Sequence, residues 1–267
     1  MDFTTLVILA LIQGITEFLP VSSSGHLILL PQLTGGEDQG QAMDVAVHVG
    51  TLFAVMLYFW RDVLGLITGT LNILTGKLKT TNAQLVLLLI LATIPVIILG
   101  VILKLSGLSD SLRDIRVIGW AMLVFGIILY WADKSHPTTR TAENWTIKDA
   151  LIMGFWQALA LIPGTSRSGA TITASRILGY ERSDGAKLAM LMSIPTIMAS
   201  GVLIGADAFG TITADQVNDL IIGAVLSFLA ALVALILMMR LLKAVSYTPY
   251  VIYRVILGLV LLYIGYT

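Results

Sequence analysis

Long apolar runs separated by short polar segments occupy most of this 267-residue chain. A hydrocarbon core of about 30 Å is crossed by a helix of roughly 17 to 25 apolar residues. Six runs meet that requirement and predict membrane-spanning helices: 44–66, 84–105, 115–133, 186–207, 217–240 and 249–266. The pattern therefore predicts an all-α integral membrane protein.

Two further apolar segments are too short to span and are interrupted by polar residues. Residues 4–19 are followed by Pro20 and three serines before a second short apolar piece, 26–33. Residues 149–162 are followed by a similar break and then by residues 170–178. Non-helical backbone at membrane depth is tolerated where protein or a wet cavity shields it, so we predict two re-entrant helical hairpins. One long kinked span is the alternative for the first segment.

The two breaks are related by a shift of 144 positions that aligns four identical residues. It places Gln13 on Gln157, Ser22 on Ser166, Ser24 on Ser168 and Gly25 on Gly169. Each half then consists of one hairpin and three spans, and an odd number of spans turns the second half upside down. We therefore predict two inverted repeats, about 1–135 and 147–267, within a single membrane domain that covers residues 1–267.

Basic loop residues set the orientation, because positively charged loops stay in the cytoplasm. One side of the predicted bundle carries Arg61, Lys77, Lys79, Lys134, Arg140, Lys148, Arg182, Lys187, Arg240 and Lys243. The other side carries Lys104, Arg113 and Arg116 with acidic Glu37, Asp38, Asp207, Asp215 and Asp219. We therefore expect both termini to face outward. The first residues, MDF, lack the basic region of a signal peptide, so we expect no cleaved leader.

Composition excludes several classes of function. Hydrophobic residues make up 57% of the chain and charged residues 12%, whereas globular proteins carry roughly 25% charged residues. A formal net charge of zero provides no basic surface for nucleic acid. With no cysteine in the sequence, disulfides, thiol nucleophiles and Cys-bound zinc are excluded.

The first break carries groups suited to both a cation and an anion. Gln13 and Glu17 are four positions apart, so a helix places them on one face, where their oxygens suit Mg²⁺ or Ca²⁺. The second short helix opens with three serines, Ser22, Ser23 and Ser24. Its free N–H groups attract anions, although simple helix capping also explains any one serine. His26 is a candidate general acid or base.

The second break, from Pro163 to Gly169, combines glycines and hydroxyls with Arg167. The guanidinium offers a planar fork for phosphate, and an arginine at membrane depth needs an anionic partner. Glu17 is one such partner, but two donor-rich breaks exceed what one carboxylate satisfies, so we predict a bound phosphate group. The expected contacts to it are Ser22, Ser24, Gly164, Ser166, Ser168, Gly169 and Thr171. Arg176 is expected to snorkel to the interface. His48, Asp44 and Arg254 are expected to be structural, with His48 the first of the three to consider for a functional role.

These two motifs resemble those of the undecaprenyl-diphosphate phosphatase family, also called the bacitracin-resistance family. QGITEFLPVSSSGHL at 13–27 fits the family's (E/Q)-x-x-x-E stretch and serine-rich loop, and PGTSRSGAT at 163–171 fits its P-G-x-S-R-S-x-x-T signature. The resemblance covers nearly the whole chain. It implies that Gln13 fills a Glu-or-Gln position, so a divalent cation would rely chiefly on Glu17. The residues at positions regarded as essential are Glu17, Ser23, His26 and Arg167.

The resemblance implies hydrolysis of undecaprenyl diphosphate to undecaprenyl phosphate and inorganic phosphate in the bacterial inner membrane. This reaction recycles the lipid carrier for cell-wall synthesis, and the family implies a role in bacitracin resistance. The attacking group is either Ser23 or a water activated by Glu17 or His26. A polyprenyl-phosphate flippase is the alternative, because broken helices in inverted repeats suit alternating access. The expected partners are the polyprenyl diphosphate and membrane lipid, with a homodimer left open and no nucleic acid.

Overall fold

The computed structural model describes residues 2–35, 38–208 and 214–267, and throughout this part every regular element is helical. The helices are α1 Phe3–Thr16, α2 Ser23–Thr34, α3 Gln41–Tyr58, α4 Trp60–Leu74, α5 Thr81–Ser106, α6 Leu108–Ser111, α7 Ile115–Ser135, α8 Ile147–Leu159, α9 Arg167–Ile177, α10 Arg182–Ala208, α11 Ala214–Leu241 and α12 Thr248–Tyr266. Of the acidic residues used for orientation, Glu37 lies outside the described residues, and so do the side chains of Asp207 and Asp215.

Six of these helices are long and apolar enough to cross a membrane: α3, α5, α7, α10, α11 and α12. They confirm the predicted number of spans and identify a multi-pass membrane protein. The first prediction, 44–66, was wrong at its end, because α3 stops at Tyr58 and α4 begins separately at Trp60. The charged pair Arg61 and Asp62 interrupts the apolar run, and Asp62 Oδ1 lies 2.7 Å from Lys187 Nζ.

The spanning helices pack in pairs that leave a broad apolar surface outside. α3 runs along α11, α7 runs along α12, and the shorter helices α1 and α8 pack against α11 and α5. Gly50 makes the α3–α11 approach possible, because a Cβ there would lie 2.1 Å from the Ala224 carbonyl oxygen. Large exposed side chains such as Ile90 and Ile256 cover the outer faces, where lipid is the matching solvent.

The end of α9 is fixed by a buried ionic cluster around Asp133. Arg176 Nε and Arg182 Nε donate to Asp133 Oδ1 at 3.0 and 2.8 Å. Arg176 is 0% exposed and also donates to the carbonyl oxygens of Pro137 and Tyr180, so its predicted snorkelling was wrong. The sequence could not reveal this, because Asp133 is provided by another helix.

Candidate active site

The two predicted breaks share one local conformation. Ser22 and Ser166 have positive φ angles of 74° and 71°, and no other non-glycine residue in the described part does. The Ser22 hydroxyl oxygen accepts from the Gly25 N–H at 3.3 Å, and that of Ser166 accepts from the Gly169 N–H at 3.0 Å. The 144-position relationship therefore extends from sequence to backbone. Left-handed serines are strained, and such strain concentrates at functional sites.

The two breaks also touch each other inside the bundle. Ser168 Oγ, at the second break, donates to the Leu19 carbonyl oxygen of the first at 2.9 Å. Gly164, with φ of 92°, approaches α7 so closely that a Cβ would lie 2.5 Å from the Ile118 carbonyl oxygen. Glycine is therefore required at this position for both its conformation and its size.

Arg254 of α12 connects the two breaks. This contact is consistent with the structural role expected for Arg254 from the sequence. Its guanidinium is completely buried, and within the described residues all its hydrogen bonds go to backbone carbonyl oxygens. One of these belongs to Pro20 at 3.3 Å in the first break, and two belong to Gly164 at 3.0 Å and Thr165 at 2.9 Å in the second. Two more contacts reach α7. A single side chain thus bonds to both breaks and adds to the direct Ser168–Leu19 contact between them.

Glu17 lies at the centre of the joined breaks. Its Oε1 accepts from Arg167 Nη2 at 2.6 Å, while its Oε2 accepts from Ser23 Oγ at 2.6 Å and from Gln13 Nε2 at 2.9 Å. His48 Nε2 is 3.7 Å from the same Oε2. The structure therefore brings Gln13, Glu17, Ser23 and Arg167 into one cluster.

His26 lies beside this cluster and not within it. Its Nδ1 is 2.6 Å from the Ser22 carbonyl oxygen, and its Nε2 is 2.6 Å from the Tyr253 hydroxyl. Both ring nitrogens therefore have partners, and the ring stacks on Tyr253. The role of His26 in proton transfer stays a prediction.

A cavity of about 260 Å³ opens next to Glu17. Its apolar wall includes Val96, Leu161 and Ile197, and its polar wall consists of Glu17, Ser23, Ser24, His48, Gln157, Ser166, Arg167, Thr196 and Ser200. The hydroxyls of Ser22, Ser168 and Thr171 are used in hydrogen bonds within the breaks, so their direct contact with a ligand stays a prediction. Sequence reasoning assigned no function to Gln157, although its alignment with Gln13 was a usable signal, and it treated His48 as structural.

Unpaired polar atoms concentrate at this site. The described part of the chain has seven buried side-chain nitrogen or oxygen atoms without a hydrogen-bond partner. Five of them belong to the site: Gln13 Oε1, Gln157 Oε1, Gln157 Nε2, Thr165 Oγ1 and Arg167 Nη1. Buried polar groups are normally paired, so such a concentration marks a place where a polar ligand completes the hydrogen bonds.

Comparisons with known proteins agree with this geometry. The family model described as bacitracin resistance protein BacA matches residues 6–260. A protein of Jannaschia sp. (strain CCS1) named undecaprenyl-diphosphatase is 64% identical over 266 residues, which cover 100% of both chains. Proteins with the same name from Ruegeria pomeroyi and Ruegeria sp. (strain TM1040) are each 62% identical, again over 100% of both chains.

Proposed function

The chain belongs to the bacitracin resistance protein BacA family, and we propose that it hydrolyses undecaprenyl diphosphate to undecaprenyl phosphate and inorganic phosphate. It is a membrane phosphatase of cell-wall synthesis, and the family connects this activity with bacitracin resistance. The observation that carries the proposal is the contact of one buried carboxylate, Glu17, with both Arg167 and Ser23 beside a cavity. This arrangement combines a phosphate-binding cation with a hydroxyl nucleophile.

The diphosphate is proposed to occupy the polar side of the cavity. Arg167 Nη1 has no hydrogen-bond partner in the described part of the chain and is available to donate to an anionic oxygen. Ser24 and Ser166 line the same cavity. Their hydroxyls pair with Ser22 and Ser168 in the structure, and they are proposed to turn towards the phosphate when it binds. Donors fixed around a phosphoryl group stabilise the charge that spreads over its oxygens in the transition state. The prenyl tail is proposed to leave between α5 and α10, whose Val96 and Ile197 form the apolar wall.

Ser23 is the proposed nucleophile, because its hydroxyl already donates to Glu17. Its Oγ bonds to the terminal phosphorus while Glu17 takes the proton and later gives it to solvent. The bond from phosphorus to the bridging oxygen breaks, and its electron pair leaves with the lipid monophosphate. Water then cleaves the phosphoserine: its oxygen leaves in inorganic phosphate and one proton returns to Ser23 Oγ.

Direct attack by water, activated by Glu17 or His26, is the second route. Substrate labelled with ³²P in its terminal phosphate separates the two routes after an acid quench. Label on Ser23 in the wild-type protein supports the phosphoserine. The absence of label, together with appreciable turnover by Ser23→Ala, supports direct attack.

A divalent cation, Mg²⁺ or Ca²⁺, is proposed to bind beside Glu17. Among the residues that the structure describes, no three His, Cys, Asp or Glu side chains group into a self-contained metal site. The amide nitrogen of Gln13, not its oxygen, faces Glu17. One carboxylate fits a hard cation that takes its remaining oxygen ligands from substrate phosphates and water. When bound, the cation would neutralise phosphate charge.

Chelation tests the cation. EDTA is expected to abolish phosphate release, and added Mg²⁺ or Ca²⁺ is expected to restore it. Tight substrate binding should likewise require the cation. Equilibrium binding of a non-hydrolysable diphosphonate measures this requirement separately from turnover. Full activity and full binding after exhaustive chelation would remove the cation from the proposal.

The helix pairs α1–α2 and α8–α9 are proposed to be re-entrant hairpins that enter from opposite faces of the bacterial inner membrane. With 14 and 13 residues, α1 and α8 are only about 20 Å long, which is short of the hydrocarbon thickness. α1 of the first half packs on α11 of the second, and α8 of the second half packs on α5 of the first. Such reciprocal packing is expected of inverted halves 1–135 and 147–267 within one membrane domain.

Both termini are proposed to lie outside, because loops rich in Lys and Arg stay in the cytoplasm. Because the sequence contains no cysteine, a single cysteine added after Thr267 gives an unambiguous label. An impermeant maleimide applied to intact spheroplasts should react with it. Labelling only after lysis would contradict this orientation.

Phosphate release from detergent-purified protein tests the reaction where no gradient exists. The wild-type protein is expected to release phosphate from undecaprenyl diphosphate, and Arg167→Ala is expected to lose at least about a hundredfold, as after removal of an oxyanion donor. Arg113→Ala is the charge-matched control, because Arg113 is exposed and pairs with Asp38 away from the cavity. Equal background rates of phosphate release in the wild-type protein and Arg167→Ala would refute the phosphatase. The alternative function, a flippase, is not favoured by the names of the relatives.

A further inference from the structure

The reaction described above gives no role to Gln157 of α8. Both polar atoms of its side chain nevertheless lack hydrogen-bond partners within the described part of the chain. Gln157 is 0% exposed, and neither Oε1 nor Nε2 has a hydrogen-bond partner among the residues that the structure describes. The residue lines the same cavity as Glu17 and Arg167. An amide buried without partners costs free energy, so an apolar residue of this size would pack there more favourably.

The sequence explains why this amide is free. Gln13 and Gln157 occupy equivalent places in the two halves, and Gln13 donates to Glu17 one helical turn later. In the second half, the residue one turn later is Leu161, which offers no hydrogen-bonding group. The amide of Gln13 is therefore hydrogen-bonded within the first half, whereas the equivalent amide of Gln157 is available to bind a ligand.

We propose that Gln157 positions the water that attacks phosphorus, an inference that depends on the proposed phosphatase function. A primary amide has an acceptor oxygen and two N–H donors. Its Oε1 accepts from a water O–H, and its Nε2 donates to an oxygen of the phosphoryl group under attack. Ionised phosphate oxygens are acceptors only, so a diphosphate alone leaves Oε1 unpaired, whereas water satisfies it.

In either chemical route the water attacks in line, from the side of phosphorus opposite the leaving oxygen. The water oxygen bonds to phosphorus, and the bond from phosphorus to the leaving oxygen breaks with its electron pair. The leaving oxygen is Ser23 Oγ in a phosphoserine, or the bridging oxygen of the diphosphate in direct attack. Glu17, or His26 in direct attack, takes the proton from the water. Gln157 holds the water and exchanges no proton.

Competition between water and methanol measures this positioning. In buffer that contains methanol, the wild-type protein should form mainly inorganic phosphate with little methyl phosphate. Gln157→Met keeps the length of the side chain and removes both polar atoms. Phosphate release should fall at least about tenfold, the effect of one lost hydrogen bond in a site. The ratio of methyl phosphate to phosphate should rise several-fold, because water loses its held position.

Gln157→Glu provides the second variant, since it keeps an oxygen acceptor for water. Its product ratio should stay near that of the wild-type protein while KM rises, because the carboxylate repels the diphosphate. Gln84→Met on α5, an exposed glutamine, should leave both rate and ratio unchanged. Thermal unfolding of each variant confirms that the protein is folded.

A folded Gln157→Met protein with the wild-type product ratio would overturn the inference, whether or not its rate falls, because a purely structural role slows both nucleophiles equally. A rise in the ratio for Gln157→Glu as large as that for Gln157→Met would also overturn it. A wild-type protein that releases no phosphate would instead refute the phosphatase itself and this inference with it.

Discussion

Arg167 Nη2 lies 2.6 Å from Glu17 Oε1, although the two residues are 150 positions apart in the chain. Glu17 follows α1 and Arg167 begins α9, so the contact joins the two broken helix pairs directly. The side chains are only 5% and 15% exposed, which strengthens the electrostatic attraction between them. Neither half of the chain holds the site without the other.

Glu17→Gln should make the protein less stable and more responsive to anions. Loss of the carboxylate leaves Arg167 without its partner, and breaking a buried pair costs about 3 kcal/mol or more. Pyrophosphate should therefore raise the melting temperature of Glu17→Gln more than that of the wild-type protein. Asp62→Asn, which breaks the distant pair with Lys187, provides the matched loss of charge and should respond as wild type does. Equal shifts in all three proteins would contradict the prediction.

Gly164→Ala should disrupt the site because its Cβ would meet the Ile118 carbonyl oxygen. Gly107 is a matched control, since it also has a positive φ, 69°, but none of the described atoms lies within 4 Å of its Cβ position. Gly107→Ala should cost only the left-handed strain of about 1 to 2 kcal/mol. Thermal unfolding and phosphate release should both show a larger loss for Gly164→Ala. Similar losses in the two variants would argue against a tight approach of the second break to α7.

Arg254→Met should lower stability and activity together, because it leaves the carbonyl oxygens of both breaks unpaired. Each buried carbonyl left without a donor costs about 1 to 3 kcal/mol. Arg254→Lys should rescue little, since one ammonium cannot reach Pro20 and Gly164 as the wide guanidinium does. Exposed Arg240→Met is the control. An Arg254→Met protein with wild-type melting temperature and turnover would show that the breaks need no connection.

His26 and Tyr253 distinguish proton transfer from support of the first break. Both ring nitrogens of His26 have partners in the structure, so we expect His26→Gln and Tyr253→Phe to lower turnover by similar factors of about ten or less. A general acid or base contributes about a hundredfold or more. A loss of that size in His26→Gln with near-normal Tyr253→Phe would establish His26 as the proton carrier.

The sequence predicted the fold well where one physical rule dominates. Apolar length determined the six spans, and it failed only at α3, where Arg61 and Asp62 end the run before residue 66. Hydropathy averages over a window and does not register a turn of the backbone at a single residue such as Phe59.

The site was predictable from the sequence where polar groups interrupt apolar segments, because burying such groups in a membrane costs free energy. Glu17, Arg167 and the run of three serines were recognised on that basis, and the family resemblance singled out Ser23. The structure places Glu17 in contact with both Ser23 and Arg167. The cavity lining of His48 and the contact of Tyr253 with His26 depend on how α3 and α12 pack. No local pattern encodes that packing, so these contacts required coordinates.

The most direct measurement of the central claim is an experimental structure with a methylene-bridged polyprenyl diphosphonate bound. The diphosphonate should lie where the two breaks meet, with its oxygens within hydrogen-bond distance of the Arg167 guanidinium and its terminal phosphorus beside Ser23 Oγ. A diphosphonate bound elsewhere, with neither Arg167 nor Ser23 in contact, would contradict a single site formed by the two halves.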